Sequence, residues 1–380
     1  MNSRWLRFEV HKAQKIAAAF LLLFLLQSLW LAGHLPFTMA ETRNALVGKA
    51  LWSRRALVNS RSPLIPGDSI LTLRCAGFLP SIAQHWQNRE FSLYAAPNRW
   101  LVRIPFVVFG IWLGGALWWV SRRIFGDEGG YITLGLYCLS PSLLIASATV
   151  DSAILASWGL FGLIFTAIGV AHTVYAAPSR WRARILLLGA AIGLTAAASL
   201  AAAIAGVIFA TGFMLYLAPR RRRITLAILA VSGAIGALIF LICFGFNVKD
   251  VSAALNVSSD YLKFTTYRLI TFTTIPGGWL EIVAFAAGLT VFALWRRTRY
   301  FGNTAPLILA LVLPWWPGPY QAGSSFVWTI PFMLVFIGGI YADLLELNFF
   351  SGRFRKLVAA TAFVLVGASA VMSLAVMTGA

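Results

Sequence analysis

Apolar runs long enough to cross a lipid bilayer recur along the whole chain, and they restrict the fold more than any other feature. A membrane-spanning helix needs about 20 mainly apolar residues. Of the 380 residues, 59% are hydrophobic and only 11% are charged, whereas soluble domains carry about 25% charged residues. The sequence therefore predicts an all-α integral membrane protein that forms one polytopic domain over residues 1–380.

Tracing the apolar runs between charged connections predicts about eleven transmembrane helices. The run from Ile185 to Ala218 is too long for one ordinary span and has arginines at both ends, so we expect it to fold back as a hairpin. The predicted spans are 15–35, 101–120, 131–148, 152–175, 185–199, 201–218, 224–246, 277–295, 304–320, 326–341 and 357–377.

The distribution of positive charge predicts the orientation. The net charge of +19 would suggest nucleic acid in a soluble protein, but here most basic clusters lie in short connections on one side, which is the positive-inside pattern. We expect a cytoplasmic N-terminus, a periplasmic C-terminus, location in a bacterial inner membrane, and no nucleic-acid partner. The basic stretch before the first span lacks a cleavage site after a short apolar core, which favours an anchoring helix.

Two long connections fall on the predicted periplasmic side, residues 36–98 and residues 247–276. In the first, apolar residues recur at near-helical spacing from residue 40 to residue 52, and a second helix-like stretch covers residues 70–87. These patterns predict interfacial helices. The chain ends with its last span, so we expect no soluble C-terminal domain.

The twelve acidic residues are the main guide to chemistry, because a carboxylate is costly in lipid and is usually functional there. None lies in the middle of a hydrophobic run. Seven lie on the predicted outer face: Glu41, Asp68, Glu90, Asp151, Asp250, Asp260 and Glu281.

Cations accompany these acids in both outer loops. A carboxylate base together with cations that stabilise a leaving phosphate is suited to group transfer from a lipid-linked phosphate donor. Two alternatives remain open: Asp151 could simply cap a helix, and the loop cations could contact lipid headgroups. The candidate phosphate-binding residues are Arg43, Arg61, Lys249, Lys263 and Arg268.

Four stretches of the chain resemble GT-C-type glycosyltransferases that use polyprenyl-phosphate sugars, the protein-mannosyltransferase and aminoarabinose-transferase group. They are AETRNALVGKALW, RWLVRIPFVVFG followed by SRRIFGDEGGYITLGLYCLSPSLLIASATVDSAILASWGLF, the Ala-rich hairpin at 185–218, and FVWTIPFMLVFIGGIYADLL. The resemblance implies a GT-C-like bundle, a lipid-linked sugar donor, and a first-loop carboxylate that deprotonates the acceptor hydroxyl.

Carried over by position, the resemblance implies that Glu41 and Asp151 are the catalytic acids. The family usually has an Asp-Glu pair, and the Asp falls on Ala40 here. Two alternatives follow: a catalytically inactive subunit of a larger membrane complex, or a lipid or polyprenol carrier. A divalent metal is compatible with the sequence but is not required by it, and no metal-ligating residue is predicted.

Overall fold

The computed structural model describes residues 12–52, 64–65, 67–87, 96–175, 181–255, 277–316, 324–346 and 352–379. Within these ranges the chain is helical, without strands. Its helices are α1 (Lys12–His34), α2 (Met39–Trp52), α3 (Ile70–Gln87), α4 (Ala96–Cys138), α5 (Pro141–Ala148), α6 (Ser152–Thr173), α7 (Trp181–Ala198), α8 (Leu200–Leu217), α9 (Arg222–Cys243), α10 (Val248–Leu255), α11 (Gly278–Leu294), α12 (Phe301–Val312), α13 (Ser324–Glu346) and α14 (Gly352–Gly379).

The predicted membrane class is confirmed. In the described ranges, eight helical segments are long and apolar enough to cross a membrane, and Gly278–Leu294 and Phe301–Trp315 are shorter apolar helices. Helices α6 and α13 form the buried centre, since 67% and 83% of their most apolar windows are buried, whereas α9 and α14 lie at the periphery with 17% and 22%.

The range of α4 and α5 contains two of the predicted spans and two breaks in the helix, at Gly126 and at Ser140. The predicted spans 101–120 and 131–148 are separate helical stretches: the range of α4 turns sharply at Gly126, whose φ of 77° lies in the left-handed region that favours glycine. The two halves then pack side by side, since the Tyr137 hydroxyl donates a hydrogen bond to the carbonyl of Gly110 at 2.5 Å. The second predicted span is then broken at Ser140, which caps α5 by accepting a hydrogen bond from the backbone N–H of Leu143. Pro141 follows at the first helical position, where its missing N–H has no cost.

The predicted hairpin is present, with its turn at Ser199. Helices α7 and α8 are each 18 residues long, and the Ser199 side chain caps α8. The Trp181 indole donates a hydrogen bond to the carbonyl of Thr173, and Arg221 donates one to the carbonyl of Val174. The start of α7 and the end of α8 therefore meet the same end of α6.

Helices α2 and α3 lie across the other end of the bundle, which we call the α2–α3 face. Asn44 of α2 donates to the carbonyl of Val150 at 3.3 Å, and Ser69 before α3 donates to the carbonyl of Ala197 at 3.2 Å. Arg74 of α3 donates to the carbonyl of Cys243. The two helices thus bridge the ends of α5, α7 and α9.

The α2–α3 pair is held together by a backbone crossing at Gly48 and Gly77. A Cβ atom on either glycine would collide with the backbone of the other helix. Helix α2 is therefore fixed in depth and rotation on α3, which matters because α2 carries Glu41.

Charged residues of the opposite end form their own contacts. Arg122 pairs with Asp127 at 2.5 Å, and Asp343 accepts hydrogen bonds from Tyr300 and Asn303. Arg103 and Arg122 are 19 residues apart on α4, which corresponds to about 29 Å of helix. The acids at this end are thus remote from the α2–α3 face.

Candidate functional site

The site is organised by a buried ion pair between Glu41 and Arg103. Arg103 Nε donates to Glu41 Oε1 at 3.0 Å, and Arg103 Nη2 donates to Glu41 Oε2 at 2.8 Å. The exposed fractions of the two side chains are 0% for Arg103 and 4% for Glu41. This bidentate geometry is the strongest form of an arginine–carboxylate contact.

The remaining donors of Arg103 bind the end of α1. Nη1 donates to the carbonyls of Ala32 at 2.8 Å and Leu35 at 2.9 Å, and Nη2 donates to the carbonyl of Pro36 at 3.0 Å. A helix leaves its last carbonyls unpaired and carries partial negative charge there. Arg103 therefore caps α1 while it holds Glu41, and all five of its N–H groups are used.

Glu41 also belongs to a capping box at the start of α2. Thr38 precedes the helix; its N–H donates to Glu41 Oε2 at 2.9 Å, and its Oγ1 accepts from the N–H of Glu41 at 3.2 Å. This reciprocal pattern requires Ser or Thr followed three residues later by Glu or Gln, and it could have been predicted from Thr38-Met39-Ala40-Glu41.

The same carboxylate reaches the turn between α5 and α6. The N–H of Val150 donates to Glu41 Oε1 at 2.9 Å, and Asn44 holds the carbonyl of Val150. Because Asp151 is the next residue, the structure brings Glu41 and Asp151 together on the α2–α3 face, although they are 110 positions apart.

Asp151 caps α6 through Oδ1, which accepts from the N–H of Ser152 at 2.6 Å. It lies in the turn outside the spanning helices and is partly buried. Burial raises the pKa of the Asp151 carboxyl; hydrogen bonds from Ser152 lower that pKa, and the nearby charge of Glu41 raises it. A carboxyl with a raised pKa accepts a proton more readily than an ordinary aspartate does.

The predicted cations have different surroundings. Arg43 forms a bidentate pair with Asp68, with Nη1–Oδ1 at 2.9 Å and Nη2–Oδ2 at 2.6 Å, so its guanidinium is already engaged. Lys249 lies exposed on α10. Arg61, Lys263 and Arg268 lie outside the described residues.

Sequence reasoning did not single out two arginines of α4. Arg103 lies near the start of the predicted span 101–120, and a charge at the edge of an apolar run signals a buried partner. Arg99 lies one turn earlier on the same side of the helix, and its buried Nε has no hydrogen-bond partner in the described part of the chain. Arg99 therefore places a second guanidinium close to Arg103.

A metal ion does not fit the carboxylates that the structure brings together. Both oxygens of Glu41 are already occupied by hydrogen bonds from Arg103, Thr38 and Val150, and Asp151 Oδ1 is occupied by Ser152. Among the described residues, no group of three or more His, Cys, Asp or Glu side chains could hold a metal.

The architecture matches solved membrane proteins, whereas no protein-family model and no curated protein matches the sequence. ArnT from Cupriavidus metallidurans, solved bound to undecaprenyl phosphate, aligns with a TM-score of 0.64 and 13% identity over 96% of this chain and 75% of that chain. The chain has a GT-C-like fold. The apo state of ArnT gives the same TM-score over 74% of that chain.

An archaeal oligosaccharyltransferase has the same GT-C-like architecture. AglB from Archaeoglobus fulgidus, in complex with an inhibitory peptide and a dolichol-phosphate, aligns with a TM-score of 0.62 and 12% identity over 95% of this chain. The present chain spans 56% of that chain's length. At these identities the likeness establishes the fold.

Proposed function

We propose that this GT-C-like protein is a membrane glycosyltransferase that moves a sugar from a polyprenyl-phosphate-linked donor to an acceptor hydroxyl at the α2–α3 face. The observation that carries the proposal is the hydrogen bond from the N–H of Val150 to Glu41, which holds Asp151 beside the Arg103 ion pair. The structures of similar fold that contain undecaprenyl phosphate and dolichol-phosphate support a lipid-phosphate donor.

In the proposed reaction, the acceptor oxygen forms a bond to the anomeric carbon of the donor sugar. The bond from that carbon to the phosphate oxygen breaks, its electron pair leaves with the polyprenyl phosphate, and the acceptor proton moves to a carboxylate. A cation stabilises the charge on the leaving phosphate. Arg99 and Lys249 are the described cations that we assign to this role, together with Lys263, Arg268 and Arg61 from the sequence.

We assign the base to Asp151 and a positioning role to Glu41. Glu41 accepts hydrogen bonds on both oxygens and is buried, whereas Asp151 is partly exposed and has a raised pKa. The sequence-based prediction that Glu41 itself removes the proton stays a prediction, and the variants below separate the two assignments. The proposal also includes that the donor carries a sugar, that the acceptor carries a hydroxyl group, and that the α2–α3 face is periplasmic.

The test uses the purified chain in lipid vesicles that contain a panel of polyprenyl-phosphate-linked sugars and a bacterial lipid extract as acceptor. Release of polyprenyl phosphate and transfer of labelled sugar are measured. We expect Asp151→Asn to lower the rate by about 10²- to 10⁴-fold, the usual contribution of a general base. Asp127→Asn, an exposed acid at the opposite end, is the matched control and should keep the wild-type rate.

One observation favours the inactive-subunit alternative, namely that Ala40 occupies the position of the family's aspartate and is exposed on α2. Ala40→Asp tests it directly. If wild type transfers no sugar from any donor and Ala40→Asp gains transfer, the chain is an inactive relative. Wild-type activity that Asp151→Asn abolishes supports the enzyme, and activity that Asp151→Asn leaves intact contradicts the assignment of the base.

A further inference from the structure

A groove with apolar walls runs along the membrane-facing side of α11, away from the α2–α3 helices. Its floor is α13 and its walls are α11 and α14, and its volume is about 460 Å³, within the range of small-molecule sites. On α11 it extends from Leu280 to Val291, eleven residues apart and thus about 16 Å long. Val283 and Val364 on its walls are 57% and 71% exposed, so the groove is accessible to lipid chains.

A buried carboxyl lies at one end of this groove. Glu281 is only 7% exposed and shares a small cavity with Ser369; four of the residues that line this cavity also line the groove, namely Leu280, Ala284, Ile337 and Leu365. Glu281 Oε1 accepts a hydrogen bond from Ser140 Oγ at 2.5 Å. Glu281 Oε2 has no hydrogen-bond partner among the described residues.

An unpaired carboxyl oxygen at this position is costly, because a buried polar group without a partner loses its hydration and gains nothing in return. Such intramembrane acids usually mark a functional site, such as a substrate or ion pathway or a bound ligand. The proposed transfer reaction does not use Glu281, since that residue contacts Ser140 deep in the bundle and Asp151 lies beyond the far end of α5. The eight residues of α5 separate the two levels by about 12 Å.

The chemistry of the cavity restricts the ligand group. No described cation forms an ion pair with Glu281, whose partner is the Ser140 hydroxyl, so an anionic phosphate would lie beside an acid without compensation. The small cavity measures about 10 Å³, which is close to the space for one water or one hydroxyl group. A carboxyl oxygen accepts a hydrogen bond from a hydroxyl in either protonation state.

We propose that the α11–α13–α14 groove binds a lipid with one long apolar chain and a neutral hydroxyl group, and that this hydroxyl donates a hydrogen bond to Glu281 Oε2. The chain lies along α11, and the hydroxyl enters the cavity beside Ser140 and Ser369. This site differs in chemistry from a site for a lipid phosphate, and it does not rest on the proposed transfer activity.

The experiment is photoaffinity labelling of the full chain in lipid nanodiscs. Three probes share one 18-carbon chain with a diazirine and differ in the terminal group: an alcohol, its methyl ether, and its phosphate monoester. Labelled peptides are mapped by mass spectrometry. We expect the alcohol to label peptides from α11 and α14 at least roughly fivefold more than the ether, the factor that one hydrogen bond supplies.

Variants in the groove provide matched controls. Ala287 lines the groove and Ala286 does not, although both are exposed neighbours on α11; Ala287→Trp should abolish the labelling and Ala286→Trp should preserve it. Glu281→Leu removes the acceptor and should reduce alcohol labelling to the level of the ether. Glu281→Gln keeps an acceptor oxygen and should retain labelling within about twofold.

Four results would overturn the proposal. Equal labelling by the alcohol and the ether would mean that water fills the cavity. Labelling by the phosphate monoester that matches the alcohol would mean that the groove takes a lipid phosphate. Unchanged labelling in Ala287→Trp would place the bound probe elsewhere, and a cross-link between α11 segments of two copies in the nanodisc would assign the groove to a second chain.

Discussion

Removal of the Arg103 guanidinium is the sharpest test of how the α2–α3 face is built. In Arg103→Gln, Glu41 loses both contacts to its cation, and the carbonyls of Ala32, Leu35 and Pro36 lose their donors. Breaking a buried ion pair by removing one partner usually costs 3–5 kcal/mol, because an uncompensated charge stays behind. We therefore expect the free energy of unfolding to fall by about 3–5 kcal/mol.

The control is Arg122, a second arginine of α4 that also pairs with an acid. Arg122 and Asp127 lie at 2.5 Å, but their side chains are 36% and 51% exposed. Water screens such a pair, so Arg122→Gln should cost less than about 1 kcal/mol. Both variants remove one guanidinium from α4, so the difference between them measures the burial of the Arg103 pair together with the bonds of Arg103 to the end of α1.

The double variant Arg103→Met with Glu41→Met completes a thermodynamic cycle. Replacing both members of a buried pair by apolar side chains leaves no lone charge, so this variant should be more stable than Arg103→Met alone. Equilibrium unfolding in mixed lipid–detergent micelles, followed by tryptophan fluorescence, gives the free energies. The reasoning is refuted if Arg103→Gln costs no more than Arg122→Gln, or if the double variant is as unstable as the sum of the single variants.

Three further predictions concern the same face. The acidic limb of the pH–rate profile should reflect an apparent pKa above the ordinary aspartate value of about 3.9, because the folded-state pKa of Asp151 is raised. For the same reason the free energy of unfolding should fall as pH rises from the unfolded-state pKa of Asp151 to its folded-state pKa. Asp151→Asn should remove both effects in pH-dependent rate and unfolding measurements. Gly48→Ala should lower the free energy of unfolding by about 1–3 kcal/mol through overpacking. Gly212→Ala is the control, because nothing lies within 4 Å of its Cβ position, and it should have no such effect. Equal effects of the two variants would contradict the close backbone contact between Gly48 and Gly77. Thr38→Ala should cost about 1 kcal/mol as a lost helix cap, and an unchanged unfolding midpoint would argue against the capping box.

The local part of the site could be predicted from the sequence. Thr38 and Glu41 are three residues apart, and their capping box follows from residue types alone. The helices at residues 39–52 and 70–87 follow from apolar spacing, and the face shared by Glu41 and Asp151 follows from counting spans. Each inference uses residues that are close in sequence or the alternation of spans across a bilayer.

The choice of partner could not be predicted in the same way. Glu41 had several cations available in its own loop, yet it pairs with Arg103 of α4, and Arg43 pairs with Asp68 instead. The geometry of α1, α2 and α4 decides this, since Arg103 reaches both the carboxylate and the carbonyls at the end of α1. Sequence spacing carries no information about a contact between Glu41 and Arg103, which are 62 positions apart.

Residue patterns alone establish that this chain is a helical membrane protein, that residues 185–218 form a hairpin, and that carboxylates are scarce. These properties depend on hydrophobic periodicity and length, which are local quantities. The packing of the helices was needed to show that Glu41 is buried and hydrogen-bonded on both oxygens, that Asp151 lies beside it, and that Glu281 lines a cavity next to Ser140. Burial and hydrogen-bond partners depend on which helices pack together, and a residue pattern along one chain does not contain that information.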